Sequence, residues 1–142
     1  LGRRFRCFVK ADHVPAAGER VEDDILIRAD KNPNGHRARQ LFGDAPINLD
    51  GDVDLVLIWG EGFDFARVPH GARTILLHAF LAPENGHADV FFPTTLQTER
   101  AGHYTNFAGT VSAFAPIKPA SRGCVDAEAL FGMLATVARV PA

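Results

Sequence analysis

Three apolar runs decide the fold: Asp54-Leu55-Val56-Leu57-Ile58-Trp59, Thr74-Ile75-Leu76-Leu77 and Asp89-Val90-Phe91-Phe92. Each is continuous rather than alternating, the pattern of strands buried on both faces of a parallel sheet. The first ends at Gly60-Glu61-Gly62, the second at His78 and the third at Pro93. The segments between them, 60–73 and 79–88, are short for full crossover helices but can each hold one or two helical turns. The fold class that follows is α/β, one compact domain built as a three-layer sandwich around a mainly parallel, Rossmann-like sheet. In such sheets ligands sit beyond the carboxyl ends of the strands, here 60–62, 78–80 and 93–95.

Before these runs, Arg4-Phe5-Arg6-Cys7-Phe8-Val9-Lys10 places Phe5, Cys7 and Val9 on one side, as a half-buried strand does. Residues 11–20, with Pro15 and Gly18, read as a loop, and Ile25-Leu26-Ile27 is a further short apolar run. The turn-rich Asp30-Lys31-Asn32-Pro33-Asn34-Gly35 follows, in which Asn34-Gly35 readily supplies positive φ. A short helical pattern over 37–42 is stopped by Gly43 and Pro46. At the other end, Asp126 can cap a helix that carries Leu130, Phe131, Leu134, Val137 and Ala138 on one face and closes at Val140-Pro141. The expected organisation is one domain over 1–142. Residues 1–46 form a strand-and-loop segment, and 47–142 carry the sheet and the last helix.

Composition excludes several function classes. The chain has 142 residues, 46% hydrophobic and 23% charged, which is globular usage. A net charge of −2 advertises no nucleic-acid partner, although 1–42 holds nine Lys or Arg against six Asp or Glu. No apolar run approaches the ~20 residues of a membrane span, and no charged-then-apolar leader pattern opens the sequence. With only Cys7 and Cys124, the chain alone cannot build a disulfide scaffold, a cysteine-held zinc site or an iron–sulfur cluster. A reduced, cytoplasmic setting is the expectation. The first residue is Leu1 rather than Met, which leaves open a piece of a longer chain.

Most local chemistry signals are weak. Gly60-Glu61-Gly62 follows a strand, but the third glycine of a dinucleotide fingerprint would fall on Phe65, and no lysine completes a phosphate-binding loop. A tight turn and a close approach to a bound phosphate or pterin both remain open there. His13, His36, His70, His78, His87 and His103 form no metal-binding spacing. Among them only His78 sits at the end of a parallel strand. Ser112 and Ser121 lie in no nucleophile elbow, Cys124 has no neighbouring base, and Asp23-Asp24 reads as a solvated pair. No residue is assigned as catalytic or as a metal ligand.

The richest stretch is Ala88-Asp89-Val90-Phe91-Phe92-Pro93 followed by Glu99-Arg100-Ala101-Gly102-His103-Tyr104-Thr105-Asn106-Phe107-Ala108-Gly109. It reads as a buried strand stopped by proline, then a long polar loop in which Glu99 and Asn106 bond the loop's own backbone. Long loops after parallel strands are often functional.

This stretch resembles the molybdopterin oxidoreductase superfamily, whose signature is a strand A-D-V-V-L-P, about six residues, then E-K-x-G-T-x-x-N-x-E-G-R-x-Q. Ala88, Asp89, Val90 and Pro93 match the strand, and Glu99, Gly102, Asn106 and Gly109 match the loop without a gap. The flanking runs, including Ile-Leu-Ile-Arg-Ala-Asp-Lys-Asn-Pro-Asn over 25–34, are similar to the large subunit of bacterial NADH-quinone oxidoreductase (respiratory complex I). The chain departs from the signature at His103, Thr110 and Ser112, where the family has Thr, Arg and Gln. These 142 residues are expected to correspond to no part of the family's iron–sulfur domain, molybdenum-ligating position or C-terminal barrel.

The resemblance implies part of a molybdopterin-binding α/β region, not catalytic alone, which scaffolds or completes a cofactor site in a larger redox enzyme. Implied partners are other domains of a large redox subunit or other subunits of the complex, in a cytoplasmic place peripheral to the inner membrane. A cofactor wall would use Gly60, Glu61, Gly62, His78, Pro93, Thr94, Thr95, Glu99, Gly102, Asn106 and Gly109, with molybdopterin guanine dinucleotide as the cofactor. A working cofactor-binding domain and a free-standing nucleotide-binding module are the alternatives.

Overall fold

The computed structural model describes residues 5–10, 17–18, 23, 25 and 34–138. The chain divides into two compact units, one of Leu1–Asn48 with His103–Phe114 and one of Leu49–Gly102 with Ala115–Ala142. Among the described residues the fold is mixed α/β: a three-strand parallel sheet, a two-strand antiparallel sheet and two α-helices.

The second unit carries the parallel sheet. Its strands are β1 (Leu55–Trp59), β2 (Arg73–His78) and β3 (Val90–Pro93), in the order β1-β2-β3. The register pairs Trp59 with Leu77 and His78 with Pro93, so all three strands end together. Three of the expected strands are thus found within a residue or two of the sequence reading. Each connection contains one short 3-10 turn, Phe65–Arg67 in the first and Pro83–His87 in the second.

Residues of both connections pack on one face of the sheet, the arrangement that right-handed crossovers in the order β1-β2-β3 would give. Phe63, Phe65, Val68 and Ala72 from the first, and Ala88 from the second, pack on the buried Val56, Ile58 and Leu76. The opposite face is covered only in part. Helix α2 (Ala127–Ala138) buries Ala127 and Leu130, and its Phe131 ring lies 5.3 Å from that of Trp59. Leu77 is fully enclosed, yet Leu55, Leu57, Trp59 and Val90 remain exposed. The expectation of a sheet buried on both faces is therefore corrected: β1 alternates exposed and buried along its length. The helix end is corrected too. Asp126 caps it, accepting from the Ala129 N–H at 3.1 Å, but Leu134 and Val137 lie exposed rather than buried.

The first unit holds helix α1 (Gly35–Phe42) and the hairpin β4 (Gly102–Thr105) and β5 (Val111–Phe114), whose first residue, Gly102, falls at the unit boundary. Asn34 takes φ 68° before the helix, its side chain accepting from the Thr105 N–H and donating to the His103 carbonyl. Tyr104 stacks on Phe114 at 4.7 Å across the hairpin. The loop expected over 99–109 is therefore half a hairpin. No strand forms over 5–10, where Phe5, Arg6 and Cys7 are exposed; an alternating run needs a neighbour to pair with. The apolar run 25–27 and the turn over 30–33 lie largely outside the described residues, as does the helix closure at Val140 and Pro141. Among the described residues no helix is long and apolar enough to cross a membrane.

Candidate functional site

The carboxyl edge of the parallel sheet gathers the strand-end residues singled out in the sequence. Gly60 leaves β1 with φ 107° and donates its N–H to the Leu77 carbonyl, and Gly62 follows at φ 68°. His78 ends β2, only 6% exposed, with Nε2 3.8 Å from the exposed Glu61 carboxylate and its ring against Phe80 at 5.6 Å. Pro93 ends β3, and the chain continues through the buried Thr94 and Thr95. Thr94 donates its N–H to the His78 carbonyl, and Thr95 to the Val125 carbonyl. Val125 in turn donates to Pro93, so its segment extends the edge as a short parallel bridge.

Two consequences decide what this edge can hold. The backbone N–H groups of Gly60, Thr94 and Thr95 are spent on protein carbonyls, and that of Gly62 reaches Glu84 only at 3.5 Å. A phosphate needs several unspent N–H donors, so these amides make a poor phosphate cradle. By contrast, His78 Nδ1 and Thr95 Oγ1 are buried without a hydrogen-bond partner, as is Asn85 Oδ1. Asn85 is tied to the same neighbourhood, since its amide donates to the Phe80 carbonyl. Unmet buried polar atoms are costly and rare, and these three concentrate around the ends of β2 and β3. The edge therefore combines spent backbone amides with buried, unpartnered side-chain atoms.

The signature residues have structural employment. Asp89 joins β2 to β3 at their amino ends: one carboxylate oxygen takes the Arg73 guanidinium at 2.6 Å, the other the Thr74 N–H and hydroxyl at 2.8 and 2.9 Å. The Arg73 bond, then those from Thr74, hold its carboxyl down at about 2. Glu99 closes the 3-10 turn Gln97–Glu99 by accepting from the Leu96 N–H at 3.0 Å. It also accepts from the Ser121 hydroxyl at 2.6 Å and faces Lys118 at 3.1 Å. These bonds, the Ser121 one foremost, hold the buried Glu99 carboxyl at about 2. In the other unit, Asn106 Oδ1 accepts from the Ala108 and Thr110 N–H groups, and Gly109 supplies φ 81° for the hairpin turn. Gly102 opens β4. The structure thus brings 60–62, 78 and 93–95 together, and Glu99 and Asn106 each bond their own backbone surroundings.

Sequence reasoning missed the partners Thr74, Ser121 and Lys118. For Thr74 a signal existed, since a threonine opening one strand and an aspartate opening the next are natural cross-strand partners. For Ser121 and Lys118, some twenty residues away from Glu99, no local signal existed. Cys124 is half-buried and free of any disulfide, and among the described residues no three His, Cys, Asp or Glu side chains are grouped to hold a metal. Comparison with family models, curated proteins and solved structures finds no match to this chain.

Proposed function

We infer that the chain is a partial molybdopterin oxidoreductase-like domain of the kind found in the large subunit of NADH-quinone oxidoreductase, a Rossmann-like wall of a larger redox enzyme and not catalytic by itself. The observation that carries this reading is the uncovered side of the parallel sheet. Leu55, Leu57, Trp59 and Val90 stand exposed on that side. Parallel sheets are stable with both faces covered, and contiguous exposed apolar surface marks an interface. The signature loop supports the same reading, because Glu99 and Asn106 are spent on structure.

Molybdopterin guanine dinucleotide, when bound in such an enzyme, supplies the redox chemistry. His78 and Thr95 are the residues of this chain that would meet its heterocycle, since both keep unmet hydrogen-bonding capacity. The spent strand-end amides favour a wall over a complete cofactor cradle, and over a free-standing nucleotide module. The test is native purification of the tagged chain from its source cells, read by visible absorbance and iron content. The reading expects iron–sulfur absorbance contributed by co-purifying subunits, because Cys7 and Cys124 cannot supply it. A colourless, iron-free chain recovered alone overturns it.

A further inference from the structure

Between the two connections, beside Thr74 of β2, lies an open groove of about 670 Å³. That is the volume of a small-molecule site. Its lining runs from Thr74, near the start of β2, and Asp89, just before β3, to Glu84, which the Gly62 N–H reaches at 3.5 Å.

One wall is aromatic. Phe63 and Phe65 meet edge to face at 5.5 Å, and the Phe65 ring lies 5.7 Å from that of His87. The charged lining is acidic, with Asp64, Glu84 and Asp89 present and no Lys or Arg among the described residues that line it. Asp89 is already employed, with both oxygens on Arg73 and Thr74. Asp64 and Glu84 are only partly so. Asp64 spends one oxygen on the Ala66 N–H, and Glu84 receives only the 3.5 Å contact from Gly62.

Two carboxylates with unspent lone pairs beside a row of rings form the combination that recognises an organic cation. The Arg73 guanidinium at the rim is already paired with Asp89, so an anion would meet the unpaired charge of Asp64 and Glu84, and a neutral apolar molecule would strip water from the carboxylates without replacing it. The geometry points to a binding site for a small arylalkyl ammonium ion. Its charged head meets Asp64 and Glu84, and its apolar body meets Phe63 and Phe65. This site uses neither His78 nor Thr95, and it and the proposed redox role each stand or fall by their own experiment.

The test uses the full chain and three soluble probes of one shape: tyramine (cation), tyrosol (its neutral hydroxyl counterpart) and 4-hydroxyphenylacetate (anion). Calorimetry measures affinity, and amide NMR shifts locate the site. Tyramine should bind with shifts at Phe63, Phe65 and His87, tyrosol about tenfold more weakly or worse, and the anion not at all. The double variant Asp64→Asn with Glu84→Gln keeps the side-chain shapes and the Ala66 cap. It should lose about tenfold in tyramine affinity with its melting temperature and tyrosol affinity unchanged. Equal binding of tyramine and tyrosol, no tyramine binding at millimolar concentration, or an undiminished affinity in the double variant would each overturn the proposal.

Discussion

Leu76 and Leu55 lie in one sheet and on opposite faces, and truncating each should have very different consequences. Leu76 is 1% exposed, enclosed by Val56, Ile58 and the two connections. Leu76→Ala empties a closed core and should cost about 3 kcal/mol, inside the ~2–5 kcal/mol span for buried leucines. Leu55 is 52% exposed, so only about half of its ~2 kcal/mol transfer energy is realised in the isolated chain. Threonine is β-branched, a shape that strands favour, and Leu55→Thr should cost about 1 kcal/mol or less. Urea unfolding followed by Trp59, the only tryptophan, reads this unit directly. With a slope near ~2 kcal/mol per M, the midpoint should fall by about 1.5 M for Leu76→Ala and by no more than about 0.5 M for Leu55→Thr. Equal losses would mean that the Leu55 face is covered by the chain itself, and the argument for a missing neighbour would be refuted.

The two lowered carboxyl groups set an acid limit. Glu99 falls from 4.5 to about 2 and Asp89 from 3.8 to about 2, so their contribution is whole above the unfolded values and fades as pH drops toward 2. Urea midpoints taken from pH 6 to 2 should decline in that window, and Glu99→Gln should be less stable at neutral pH with a shallower acid decline; an unchanged slope counts against the Glu99 account. Asp126→Ala removes the cap on the Ala129 N–H and should lower stability by about 1 kcal/mol by urea titration. Gly109→Ala meets no steric obstacle, its nearest contact being His36 Nε2 at 3.7 Å, but φ 81° is unfavourable for alanine. It should cost about 1–2 kcal/mol, read as increased amide exchange across the β4–β5 hairpin.

The three parallel strands were legible because continuous apolar runs between turn signals have few other solutions, and Asp126 and Asn34-Gly35 announced their cap and turn. Exposure of one sheet face was not legible. Leu55, Leu57 and Trp59 read identically whether the chain or a partner is to cover them. The β4–β5 hairpin escaped because Gly102-His103-Tyr104-Thr105 and Val111-Ser112-Ala113-Phe114 are mostly small or polar. Its marks are the Asn106–Gly109 turn bond and the cross-strand Tyr104–Phe114 stack, and the second appears only after pairing. Of the site, strand order and run ends already brought 60–62, 78 and 93–95 together. What the pattern could not show was where the amides of Gly60, Thr94 and Thr95 are spent, because that of Thr95 depends on Val125, thirty residues downstream.

The central claim is that this domain works as part of a larger assembly. Its most direct test is the native mass of the particle that carries it in its source cells, by gel filtration and immunoblot with an antibody to the domain. The account predicts elution far above the 15.4 kDa of this chain, with the Leu55→Thr, Leu57→Thr double variant shifting to lower mass. A monodisperse 15.4 kDa species, unmoved by the variant, would contradict it.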